Sequence, residues 1–110
     1  MRHKYGNFTK EQMLSAKNLI RKQIFFLLLC ADPKTKDSYS HIDIKEAFKG
    51  LMYKLDGLNS ILGEPRELVD AISLLEKALM KYNDPVFDFK TYRRLILSAG
   101  SSIEDIKEVD

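Results

Sequence analysis

Apolar residues recur at helical spacing along most of the chain. Met13, Ala16, Ile20, Ile24, Leu27 and Ala31 fall on one face when each residue turns by about 100°. This predicts a first helix over 10–31, about 33 Å long. Thr9 is placed to cap it, with Gln12 at the third helical position and Phe8 and Met13 spaced as a hydrophobic staple. Pro33 stops it, and residues 32–42 read as a polar loop. A second helix over 43–62 opens on Asp43 and Glu46 and carries Ile44, Phe48, Leu51, Met52, Leu55, Leu58 and Leu62. Gly63 is a natural stop and Pro65 a natural first residue for the next helix.

The third helix, 65–82, has Leu68, Ile72, Leu75, Leu79 and Tyr82 on its apolar side. Asn83-Asp84-Pro85 ends it, and Val86 and Phe87 are expected to tuck over one end of the bundle. A fourth helix begins near Asp88 or Phe89, with Phe89, Tyr92, Ile96 and Ala99 facing inward. Gly100 is expected to break it, with Ser102 and Asp105 capping a short last helix that carries Ile103 and Ile106. Strand patterns are almost absent. The expectation is one all-α domain over 1–110. It is an up-down four-helix bundle with the option of a short fifth C-terminal helix, and residues 1–8 form a flexible leader.

QIFFLLLCAD, residues 23–32, is the least polar stretch. Its uninterrupted apolar run, Ile24 to Ala31, falls well short of the roughly 20 residues of a membrane span. Residues 1–23 are mostly polar and include Glu11, unlike the short basic lead of an export signal. Leu29 stands where a lipoprotein cleavage box wants a small residue before cysteine. A buried core or a docking face remains. Phe25, Phe26 and Leu29 project roughly opposite the Ile20–Ile24–Leu27–Ala31 stripe, and a helix apolar all round is surrounded by protein. Either the loop and C-terminal tail cover these three residues, or they contact another chain.

On the second helix, Gly50, Tyr53, Gly57 and Ser60 form a small-residue lane opposite the apolar stripe. A glycine within a helix costs about 1 kcal/mol relative to alanine. Two on one lane suggest a close approach, so these four are further candidate partner contacts.

Composition supports a globular reading: of 110 residues, 45% are hydrophobic and 31% charged. The lone Cys30 makes no intramolecular disulfide, which favours a reducing compartment and a cytoplasmic location. Net charge is only +2, but it is unevenly spread. Residues 1–55 hold 11 basic and 5 acidic side chains, and residues 56–110 hold 7 and 11. Lys10, Lys17, Arg21 and Lys22 on the first helix, Lys34 and Lys36 in the loop, and Arg93 and Arg94 on the fourth helix are candidate phosphate contacts. The pI of about 8.6 lies below the level of about 9 that marks a nucleic-acid binder.

Catalytic and metal-binding patterns are missing. His3 and His41 have no carboxylate or cysteine at a ligand spacing, and there is no phosphate-cradling glycine loop or calcium loop. Apolar neighbours flank Cys30 on both sides, which disfavours a thiolate nucleophile. The sequence therefore points to a non-catalytic protein without cofactor, metal or membrane span. Its work would be contact with a protein partner or a second copy of itself. The alternative is a nucleic-acid-binding module or a small ribonucleoprotein subunit using the basic N-terminal half.

Overall fold

The first amphipathic segment folds as α1, Lys10–Ala31, in a computed structural model that describes residues 2–3, 6–7 and 10–106. The expected Thr9 cap and the Phe8 half of the staple lie outside the described residues. So do most of the expected leader and the side chain of Lys10. Arg2–His3 and Gly6–Asn7 form a two-residue antiparallel pairing, too short to alter the all-helical class. Helix α2 spans Ile44–Leu62, α3 Arg66–Tyr82 and α4 Phe89–Glu104.

Local chemistry fixes the helix ends. Asp43 precedes α2 in an extended conformation and its carboxylate accepts from the Glu46 amide at 3.2 Å. At the other end Gly63 is left-handed, with φ 78°, and its N–H reaches the Asn59 carbonyl. Glu64 also has positive φ, 58°, and donates to the same carbonyl at 2.9 Å. These two residues reverse the chain within a single turn. Pro65 stands just outside α3 in an extended conformation rather than at its first helical position, and its carbonyl receives the amides of Leu68 and Val69. Asp88 caps α4, accepting from the Lys90 amide at 3.0 Å and the Thr91 hydroxyl at 2.7 Å.

Each helix contributes its predicted stripe to one core, and no polar residue among the described ones is fully buried. Helix α4 packs against α3 and α1, while α2 packs against α3 and α1. On α1, Leu28 and Cys30 are buried beside the predicted stripe, so the helix is enclosed over more than half its circumference near its C-terminal end. Part of that cover comes from the connection after α1. Residues 32–42 are less purely polar than their composition suggests. A 3₁₀ turn over Lys36–Tyr39 sets Tyr39 edge-on to Phe26 at 5.5 Å, and Ile42 packs on the core.

Tyr92 is the largest side chain sealed in the centre. Its hydroxyl donates to the Leu27 carbonyl at 2.8 Å, tying α4 to α1. Around its ring stand Phe87 at 5.5 Å, Tyr82 at 6.1 Å, and Phe48 and Phe89 at 6.3 Å each, tilted or edge-on as ring quadrupoles prefer.

Two expectations are corrected. Helix α4 does not break at Gly100. It continues to Glu104, so no separate fifth helix occurs among the described residues, and Ser102 is inside a helix rather than at its start. The burial of Ala99 and Ile103, with Ile106 just beyond, holds this last turn against the core and outweighs the glycine cost. Val86 does not tuck over the bundle end. It is 82% exposed, whereas Phe87 reaches the aromatic cluster.

Tyr92→Phe is expected to cost about 1 kcal/mol, the net worth of one buried hydrogen bond. Burial holds the Tyr92 phenol well above the ordinary tyrosine pKa, with the nearby Cys30 and Tyr82 groups adding to the shift. Because the folded value is raised, the neutral phenol contributes its full stability below pH about 10. That contribution is lost as pH rises through the higher folded value. Denaturant titrations across the alkaline range will show a steeper loss in the parent chain than in Tyr92→Phe.

The Thr91 hydroxyl and the Lys90 and Thr91 amides hold the Asp88 carboxyl below its usual range. Its contribution is present above pH about 4 and is lost as pH falls through the lower folded value. Asp88→Ala is expected to lower the melting temperature at neutral pH and to flatten the acid limb of the stability profile.

Candidate functional site

Which apolar side chains the core leaves uncovered follows from where each helix turns. On α1, Ile24 is buried and Phe25, one residue on, swings to the edge with 52% of its surface exposed. On α4 the same step separates buried Ile96 from Leu97, which is 39% exposed. These edges meet. The Lys17 ammonium donates to the Ile106 carbonyl at 2.8 Å, Arg21 lies 3.6 Å from Glu104, and Tyr92 reaches Leu27. Rising positions on α1 thus face falling positions on α4, so the two helices are antiparallel.

Between them runs an open groove of about 560 Å³. Ile24 and Ile96 form its floor, and Phe25 and Leu97 its apolar walls. Arg21, Lys22 and Glu104 lie toward one end. Gly100 sits in the α4 wall, and a Cβ added there would meet nothing within 4 Å, so the missing side chain leaves room. An adjoining shallow depression shares Leu97 and Ser101 with the groove and brings in Arg93 and Arg94, both exposed.

The structure separates the three apolar candidates on α1. Phe25 lines the groove. Phe26 turns the other way, covered in part by Tyr39. Leu29 is half-buried, and its carbonyl accepts from the Thr35 hydroxyl at 2.6 Å. The chain's own α1–α2 connection thus covers part of Phe26 and is tied to the Leu29 backbone. The second lane lies elsewhere. Gly50, Tyr53, Gly57 and Ser60 are all exposed on α2. Tyr53 is 82% exposed and lines a shallow depression between α2 and α3 with Lys45, Lys49 and Asn83. A Cβ at Gly50 or Gly57 meets nothing within 4 Å, so no part of the described chain makes the expected close approach.

The basic candidates also divide. Arg21, Lys22, Arg93 and Arg94 come together around the α1/α4 face. Lys17 is half-buried and engaged with the Ile106 carbonyl. Lys34 and Lys36 are exposed in the turn after α1. Four groove residues were not singled out from sequence, namely Asn18, Leu97, Ser101 and Glu104, and Gly100 was read there only as a helix breaker. Leu97 did carry a signal, being an apolar residue off the Tyr92–Ile96–Ala99–Ile103 stripe.

Burial raises the Cys30 thiol pKa, keeping it protonated at neutral pH and poorly nucleophilic. Among the described residues no group of three or more His, Cys, Asp or Glu side chains is arranged to hold a metal ion. No helix among them is long and apolar enough to cross a membrane. Comparisons with protein-family models, curated proteins and solved structures find no match.

Phe25→Ser is expected to change folding stability by less than about 1 kcal/mol, since the side chain is half in water already. Leu27→Ala is expected to cost about 2–5 kcal/mol. Gly100→Ala is expected to stabilise by up to about 1 kcal/mol, because the helix gains propensity and the added methyl meets open space. Denaturant unfolding of the three variants will give this order.

Proposed function

We propose that this chain is a non-catalytic cytoplasmic protein that works by contact with another protein through its α1/α4 face. The supporting observation is Phe25, a large aromatic held half-exposed on a groove beside Leu97. Exposed aromatics set in an apolar groove with a charged rim match the composition of protein interfaces. Covering the remaining surface of Phe25 is worth about 1 kcal/mol, so it would act as one anchor among several. We further read the four helices as an up-down bundle. Helices α1 and α4 are antiparallel, and the connections over 63–65 and 83–88 are short enough to send each helix back along its predecessor.

A second reading draws on a separate observation. Arg21, Lys22, Arg93 and Arg94 surround the same face although they are far apart in sequence. Such a set is able to contact phosphates, and a nucleic-acid-binding role would use it.

One experiment tests both. A photo-crosslinking residue replaces Phe25 in the cell, with the same residue at exposed Asp37 as control. The expected result is a discrete protein adduct at position 25 that survives nuclease and is missing at position 37. Absence of an adduct at position 25 overturns the protein-contact reading. A nuclease-sensitive adduct overturns it in favour of nucleic acid, whose binding will then weaken steeply with salt.

A further inference from the structure

We propose that the α1/α4 groove binds a small monocarboxylate with an apolar body, of the medium-chain or aryl-alkyl class. This adds a ligand to the face already described and does not depend on the protein-contact reading. The argument is the order of side chains along the groove. Two contacts fix that order, Arg21 with Glu104 at one level and Leu27 with Tyr92 at another. Beside the first lie Asn18, Lys22 and Ser101, which line the groove with Arg21 and Glu104. Ile24 and Phe25 follow on α1 toward Leu27, and Ile96 and Leu97 lie on α4 toward Tyr92. One end of the groove is therefore polar and the other apolar. A cleft divided in this way along its length matches a ligand with an ionised head and a hydrocarbon body.

Charge sets the sign of the head. Arg21 and Lys22 at the polar end outnumber Glu104, leaving one net positive charge. The Arg21–Glu104 contact is 3.6 Å between side chains that are 46% and 61% exposed, so it is weak and exchangeable. A carboxylate accepts two parallel hydrogen bonds from a planar guanidinium, and its single charge balances the surplus. A phosphate dianion would overshoot that balance beside Glu104, and an ammonium head would meet the surplus cation. The groove volume, about 560 Å³, is of small-molecule size. From Asn18 to Phe25 the wall runs for seven residues of α1, roughly 10 Å, the span of a medium-chain acid. Gly100 stands between the two ends on α4. A Cβ there would meet nothing within 4 Å, so the body of the ligand passes the helix freely.

The test uses isotope-labelled full-length chain and amide chemical-shift mapping with octanoate, octanol, octylammonium and acetate. Octanoate is expected to move the Arg21, Phe25, Leu97 and Gly100 resonances saturably, with half-saturation at about 1 mM, as suits a ligand of roughly ten non-hydrogen atoms. Octanol and octylammonium bind at least about tenfold more weakly, and acetate moves none of these resonances. Arg21→Gln lowers octanoate affinity about tenfold and leaves octanol unchanged, whereas Phe25→Ser weakens both. Circular dichroism will show both variants folded. Equal binding of octanoate and octanol overturns the proposal, since it reports apolar adsorption alone. No shifts with octanoate, or shifts confined to the Tyr53 side, overturn it as well. Groove resonances that move with chain concentration before any ligand is added would give the groove to a second copy and also overturn it. The crosslink at position 25 is read without added carboxylate, so the ligand site and the protein contact stand or fall separately.

Discussion

The hydrogen bond from the Tyr92 hydroxyl to the Leu27 carbonyl is the constraint on which the rest of the arrangement hangs. It joins the C-terminal part of α1 to the first turn of α4 across 65 positions of sequence. A buried phenol needs a partner for its O–H, and a ring enclosed by four other aromatics has little freedom to find a different one. That contact sets how far α4 slides along α1. The slide in turn brings Ile24 against Ile96, puts Phe25 and Leu97 on facing edges, and lets Lys17 reach the Ile106 carbonyl. The groove is thus a consequence of core packing rather than a separate construction.

Helix α1 carries more apolar surface than one neighbour can cover. The fold assigns that surface to different covers. α2 and α4 take the main stripe, and the turn through Tyr39 and Ile42 takes the Phe26 side. Phe25 is left half-exposed beside the groove, and Leu14 and Leu19 are half-exposed earlier on the helix. The α2 lane contrasts with Phe25. Its glycines have open space around them, and Tyr53 stands almost wholly in solvent at the edge of a shallow depression. An aromatic half-held against a wall has more fixed geometry for a partner to read than one standing almost wholly in water.

Much of the fold was legible in the sequence because its signals are local. Asp43, Gly63 and Asp88 mark helix ends through their own side chains or backbone freedom, and apolar stripes at helical spacing name most of the core. Local rules failed where distant contacts won. Gly100 reads as a breaker until the burial of Ile103 and Ile106 is weighed against it. Tyr39 reads as part of a polar loop because its partner, Phe26, lies on another element. The groove was half legible. Phe25 stood out as apolar on the wrong face, and Leu97 had the same signature on α4. Their meeting depends on the antiparallel register, which no single helix encodes. The convergence of Arg21 and Lys22 with Arg93 and Arg94 was hidden for the same reason.

The order in which contacts can form has a bearing on what the groove reports. Turns of three and six residues connect α2 to α3 and α3 to α4, so these helices find each other at little loop-closure cost. Pairing α1 with α4 requires closing the longest loop in the domain, through contacts 65 to 89 positions apart. The groove comes into being only when that closure is made. Anything that binds there recognises the completed domain, ignores partly folded chains, and draws the folding equilibrium toward the native state in proportion to its occupancy.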